Sequence, residues 1–135
     1  MKAIDTNILA RFFVNDPDDP QAIKQQEIAL NIMSQPVFIS LTVILEFEWV
    51  MRGFYKLPRP QISQVFKALF GLSHVQIEDK SLLVNVLYQY EQGLDFADAL
   101  HVAKAVHCQT FITFDQKLVK KAVAHIPDCV VELAE

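Results

Sequence analysis

Short apolar runs alternate along this chain with longer stretches whose apolar side chains recur at helical spacing. Lys2 to Asp5 predicts a first strand, with Thr6 or Asn7 capping a short helix that runs to Val14. Asn15-Asp-Pro-Asp-Asp-Pro20 breaks the chain ahead of a polar helix from about Gln21 to Ser34. Val37 to Leu41 predicts a second strand, and Thr42 to Phe54 a helix with Val43, Phe47, Val50 and Phe54 on one face. A turn at Lys56-Leu-Pro-Arg-Pro60 leads to a helix over Gln61 to Phe70. A strand near Val75 to Ile77 precedes a helix from about Ser81 to Glu91. Gly93 interrupts before the Ala-rich helix Phe96 to His107. Thr110 to Phe114 is a further strand, Gln116 to Ala124 a helix, and Cys129 to Leu133 the last strand.

Strands alternating with helices predict an α/β class with a largely parallel sheet. The 135 residues form one expected domain, 1–135, without repeat, low-complexity tract or linker. In such a sheet ligands collect at the carboxyl ends of the strands. Four acids fall where an apolar segment gives way to a helix: Asp5, Glu46, Asp98 and Asp115. Carboxylates converging there would repel one another, and a hard divalent cation relieves that repulsion.

Taken singly, each acid has an ordinary explanation. Asp5 and Asp115 follow strands, where aspartate often caps the next helix. With Asp95 as N-cap, Asp98 takes the third helical position, which favours a carboxylate, although its neighbours Ala97, Ala99, Ala103 and Ala105 suggest close packing. Glu46 competes with Glu48. Measured from the middle of the Val43–Phe47–Val50–Phe54 sector, Glu46 lies roughly 70° away and Glu48 roughly 130°. Glu46 is therefore expected at the margin of the buried face and Glu48 in solvent.

Hydrophobic residues are 52% of the chain, enough for a solid core and too many for disorder. The net charge of −4, from 16 acidic and 12 basic side chains, argues against a broad basic nucleic-acid surface. With the four acids set against cations the counts balance, so a nucleic-acid substrate stays open. No signal-peptide core or bilayer-length apolar run is present, which predicts a soluble, cytoplasmic chain with no membrane contact. Cys108 and Cys129 match no zinc spacing and read as small buried residues. With three glycines there is no phosphate-binding loop, which disfavours an NTPase.

Asp5-Thr-Asn-Ile-Leu9, Ile39-Ser-Leu-Thr-Val-Ile-Leu-Glu-Phe47, Asp95-Phe-Ala-Asp-Ala-Leu100 and Thr113-Phe-Asp115 together resemble a PIN domain, specifically the VapC-like toxins of bacterial toxin–antitoxin pairs. The resemblance implies a three-layer α/β/α sandwich in which Asp5, Glu46, Asp98 and Asp115 bind Mg²⁺ or Mn²⁺ and cleave RNA. Thr113 matches a hydroxyl position beside the last acid, and Asn7 a polar residue beside the first. A homodimer and a VapB-type antitoxin are implied as partners. On this reading Asp5 and Asp98 are the principal ligands, Glu46 and Asp115 hold waters or a second ion, and Thr113 orients a water or an acid.

Arg11, one helical turn after Asn7, is the best placed of several basic side chains to contact phosphate. His101 follows Asp98 by three residues, but a lone helical histidine is more often structural. Trp49 and the phenylalanines at helical spacing read as core or dimer interface. Two other functions compete: a PIN-fold nuclease of DNA or RNA processing, and a non-catalytic interaction module whose acids only cap helices.

Overall fold

The computed structural model describes residues 1–135. These form two compact units, Met1–Lys80 and Ser81–Glu135. The expected class is present: seven helices and five short strands, with every strand pair parallel. The strands are hydrogen-bonded as a three-stranded sheet in the first unit and a two-stranded sheet in the second.

In the first unit β1 (Lys2–Ala3), β2 (Val37–Ile39) and β3 (Val75–Ile77) pair in that order, with Ala3 opposite Phe38 and Ile39 opposite Ile77. The helices are α1 (Thr6–Phe13), α2 (Pro20–Met33), α3 (Leu41–Trp49) and α4 (Arg59–Phe70). The helix expected over Thr42 to Phe54 divides: α3 ends at Trp49 and a π-helical turn, Val50–Phe54, continues it. Leu9, Ala29, Ile39, Ile44, Phe47, Met51, Ile62 and Phe66 are fully buried. Phe47 links Phe13 and Phe66 at centroid distances of 6.1 and 5.9 Å.

The second unit opens with α5 (Lys80–Glu91), followed by α6 (Phe96–Lys104), β4 (Phe111–Thr113), α7 (Gln116–His125) and β5 (Val131–Leu133). β4 pairs with β5, Phe111 opposite Val131. Between α5 and α6 Gly93 has φ +105°, a conformation that glycine adopts without the steric cost a side chain would bring. Leu83, Val86, Tyr90, Leu94, Phe96, Ala99 and Val102 are its most buried apolar residues, and the Tyr90 and Phe96 rings meet edge to face at 5.6 Å. No helix is long and apolar enough to cross a membrane.

Three expectations about burial are corrected. Cys108 is exposed and Cys129 only partly covered, because α6 stops at Lys104 and Cys108 lies on the following turn. Trp49 and Phe54 are 59% and 69% exposed, so of core and dimer interface, the two readings expected for them, the core one is set aside. The largest correction concerns Glu48, which is 2% exposed, while Glu46 is exposed. The buried face of α3 runs through Ile44, Phe47 and Met51. Measured from that face, Glu48 lies about 70° away and Glu46 about 130°, the reverse of the expectation. The stretch Val43 to Met51 carries apolar residues around most of its circumference, so the wheel alone admitted more than one inward face.

Candidate active site

The parallel register of the first unit delivers two acids to neighbouring places. The Ile4 amide donates to the Phe38 carbonyl at 3.1 Å, so the chain leaves β1 level with the end of β2. Asp5 follows at once and, rather than Thr6 or Asn7, is the N-cap of α1: its Oδ1 accepts from the Ile8 amide at 3.3 Å. Ser40 performs the same service for α3, accepting from the Val43 amide at 3.4 Å. β3 ends alongside, and Glu78 just beyond it accepts from the Leu41 amide at 2.8 Å. Two of the amides left unpaired at the start of α3 are thereby satisfied. Removing the Glu78 carboxylate with Glu78→Ala is expected to cost about 1 kcal/mol of stability, read as a lower urea midpoint.

Glu46 is not at a strand-to-helix junction, as the sequence suggested, but about one and a half turns into α3. Helical side chains lean toward the N-terminus of their helix, here toward the strand ends. Glu46 Oε1 accepts a hydrogen bond from the Thr6 hydroxyl across 40 residues of sequence. Asp5 and the carboxylate of Glu46 are thus attached to the same first turn of α1. Asn7 is exposed on that turn.

In the second unit Asp95 caps α6, accepting from the Asp98 amide at 3.0 Å, which places Asp98 third in the helix as expected. The segment before it is the turn after α5 rather than a strand. Asp115 caps α7 directly after β4, its Oδ1 accepting from Lys117 and Leu118 amides at 2.9 and 3.2 Å. Thr113 Oγ1 accepts from the Asp115 amide at 3.0 Å and so braces the backbone that carries this acid. Burial raises the pKa of Asp98 above its ordinary value of 3.8; the charges of Asp95 and Asp115 raise it further, and His101 opposes them. Asp98 is therefore a half-buried carboxylate among like charges, a setting a cation stabilises.

Arg11 is committed within the first unit. Its Nε donates to Gln25 at 2.8 Å, Nη1 donates to the Tyr55 hydroxyl at 3.3 Å, and Nη2 lies 3.9 Å from Asp19. A phosphate would have to compete with these partners. Arg52 is likewise joined to Glu48, at 2.9 Å, and Lys121 donates to the Gly93 carbonyl at 2.7 Å. Of these residues, the sequence reading missed Thr6 as a partner of Glu46 and Glu78 as a cap of α3. Thr6 carried one signal: a hydroxyl residue immediately after Asp5.

The donors in both places are carboxylate and hydroxyl oxygens, the type preferred by hard cations such as Mg²⁺ and Mn²⁺. No group of three His, Cys, Asp or Glu side chains forms a cluster able to hold a metal ion. Mg²⁺ commonly takes only one or two protein carboxylates and keeps several waters, so pairs of acids fit it better than they fit zinc.

The model of the PIN domain family matches residues 2–124, and the chain belongs to that family. PIN domains are commonly nucleases and generally use divalent metals. Comparison with curated proteins gave no match.

Proposed function

We propose that this chain is a metal-dependent endoribonuclease and the toxin of a VapBC-type pair, with residues 1–135 forming one PIN domain. Asp5 and Asp98 are its principal metal ligands, and Glu46 and Asp115 hold waters or a second ion. The observation that carries the reading is Asp98, held partly buried beside the charges of Asp95 and Asp115. A fold that keeps such a carboxylate pays a stability cost, and a bound Mg²⁺ or Mn²⁺ removes it.

When bound, a divalent cation lowers the pKa of water and offsets the charge that develops on phosphate. The chain's own part is orientation. Asp5 is held by the Ile8 amide, Glu46 by Thr6, and Asp115 by two amides of α7 with Thr113 behind it. These contacts restrict the rotamers of acids that sit on exposed surface, so little reorganisation is left for the reaction. The toxin assignment supplies the remaining features: a homodimer in the cytoplasm, neutralised by a VapB-type antitoxin, acting on RNA.

Incubating the chain with total RNA and Mg²⁺ or Mn²⁺, and mapping the new ends, tests the proposal. Cleavage is expected with either metal and none with EDTA. Asp5→Asn is expected to lower the rate on the order of 100-fold or more. Asparagine still offers an oxygen to the Ile8 amide, so the cap and the fold should survive. Full activity in that variant sinks the assignment of Asp5.

The caps made by Asp5, Asp95 and Asp115 favour a second reading, a non-catalytic module in which these acids only close helices. Thermal unfolding with and without Mn²⁺ separates the two. A ligand that binds the folded state raises its melting temperature, and a module without a metal site would show no such rise.

A further inference from the structure

We infer that Thr6 is a positioning residue for Glu46 in metal-dependent RNA cleavage; the inference rests on the nuclease reading above and gives its first unit a part no acid supplies. Thr6 opens α1 and is only 5% exposed, between Asp5 and the exposed Asn7. A buried hydroxyl needs a hydrogen-bond partner, and the partner it has is the Glu46 carboxylate. The Thr6 hydroxyl donates and Glu46 Oε1 accepts.

Seen from Glu46, the same bond matters more. Glu46 is an exposed side chain with three rotatable torsions, and Thr6 is its only hydrogen-bond partner. Without Thr6 the carboxylate samples several rotamers in water. With it, Oε1 is tied to the first turn of α1 and Oε2 is left for a ligand. Because Asp5 is the N-cap of that same turn, one helix start sets the orientation of both acids. Valine has nearly the shape of threonine and would fill the buried space as well, so shape alone does not call for the hydroxyl. Thr6 touches Glu46 rather than substrate, and its effect on the reaction is exerted through that carboxylate.

The test compares Thr6→Val, which removes the donor at nearly constant shape, with Thr6→Ser, which keeps it. Initial rates of RNA cleavage are measured across a Mn²⁺ titration, with thermal melts of each variant in EDTA as a folding control. In Thr6→Val the Mn²⁺ concentration for half-maximal rate should rise about tenfold, and Thr6→Ser should stay near the parent. A merely structural role would change the melts and leave the Mn²⁺ dependence alone. Should Thr6→Val melt too low to assay, Thr6→Ala and the Glu46→Ala background supply the comparison. Removing the hydroxyl from a chain that already carries Glu46→Ala, which has no acceptor for it, should add nothing. An additive effect there, an unchanged Mn²⁺ curve in Thr6→Val, or a Thr6→Ser as impaired as Thr6→Val would each overturn the positioning role while the parent still responds to Mn²⁺. A parent chain indifferent to Mn²⁺ overturns the nuclease reading itself, and the inference with it.

Discussion

Asp98→Asn is expected to cleave RNA on the order of 100-fold or more slowly than the parent and yet to melt at a higher temperature in EDTA at pH 7. The two effects have one cause. Burial, then the charges of Asp95 and Asp115, raise the pKa of Asp98, against the opposing effect of His101. For an acid, a pKa higher in the folded than in the unfolded chain means that the folded state binds the proton more tightly. Below the unfolded value, near 3.8, both states are protonated and Asp98 imposes no penalty. As pH rises from there to the raised folded value, the unfolded chain releases its proton before the folded one does, and stability is lost. Above the raised folded value the whole penalty is present in the metal-free protein. Asparagine cannot ionise, so its advantage should be full above the raised folded value and vanish below about pH 3.8, where Asp98 is neutral in both states. Adding Mn²⁺ should stabilise the parent more than the variant. Equal melting temperatures in EDTA at pH 7 would show that Asp98 carries no such penalty.

The second large effect separates two glutamates that lie two residues apart. Glu48→Ala is expected to cost about 2–4 kcal/mol of folding stability, whereas Glu46→Gln should cost less than about 0.5 kcal/mol and act on cleavage instead. Glu48 is 2% exposed, and its two oxygens accept from Arg52 at 2.9 and 3.4 Å. Truncation there removes buried atoms beside Phe47 and leaves Arg52, itself about half exposed, without this carboxylate. Glu46 is exposed and bonded to Thr6, so replacing its carboxylate changes charge and ligand strength with little loss of packing. Urea titrations of both variants beside their Mn²⁺-dependent rates check the pair. A Glu48→Ala chain as stable as the parent would contradict a stabilising role for the buried Glu48 and its bond to Arg52.

How far the candidate site was legible depends on which kind of information each residue needed. Asp115 after Thr113-Phe, and Asp98 three residues after Asp95, were readable because helix capping is local. The α/β class was readable for a similar reason: Val37 to Ile39 and Val75 to Ile77 are short apolar runs between helical patterns, and the structure has strands at both. Glu46 against Glu48 was not decided locally. Both lie on a helix whose residues are apolar around most of its circumference, and the inward face follows from what α3 packs against. The motifs and the wheel both pointed to Glu46 as the candidate acid, while the wheel assigned burial to the wrong one of the two.

The sequence by itself determined the alternation of strands and helices, the caps at Asp95 and Asp115, and membership of a family of acid-bearing nuclease folds. These follow from periodicity, capping and motif order, which act over a few residues or survive as residue identities. The tertiary structure alone decided that Glu48 is buried with Arg52, that Arg11 is taken up by Gln25, Tyr55 and Asp19, and that Thr6 holds Glu46. It also decided that Glu78, arriving with β3, closes the start of α3. Apart from Glu48 with Arg52 and Arg11 with the nearby Asp19, these pairings join residues well separated in sequence, brought together by strand register and helix packing. Glu48 and Arg52 are one turn apart, but whether that turn faces the core or water was settled by the rest of the fold.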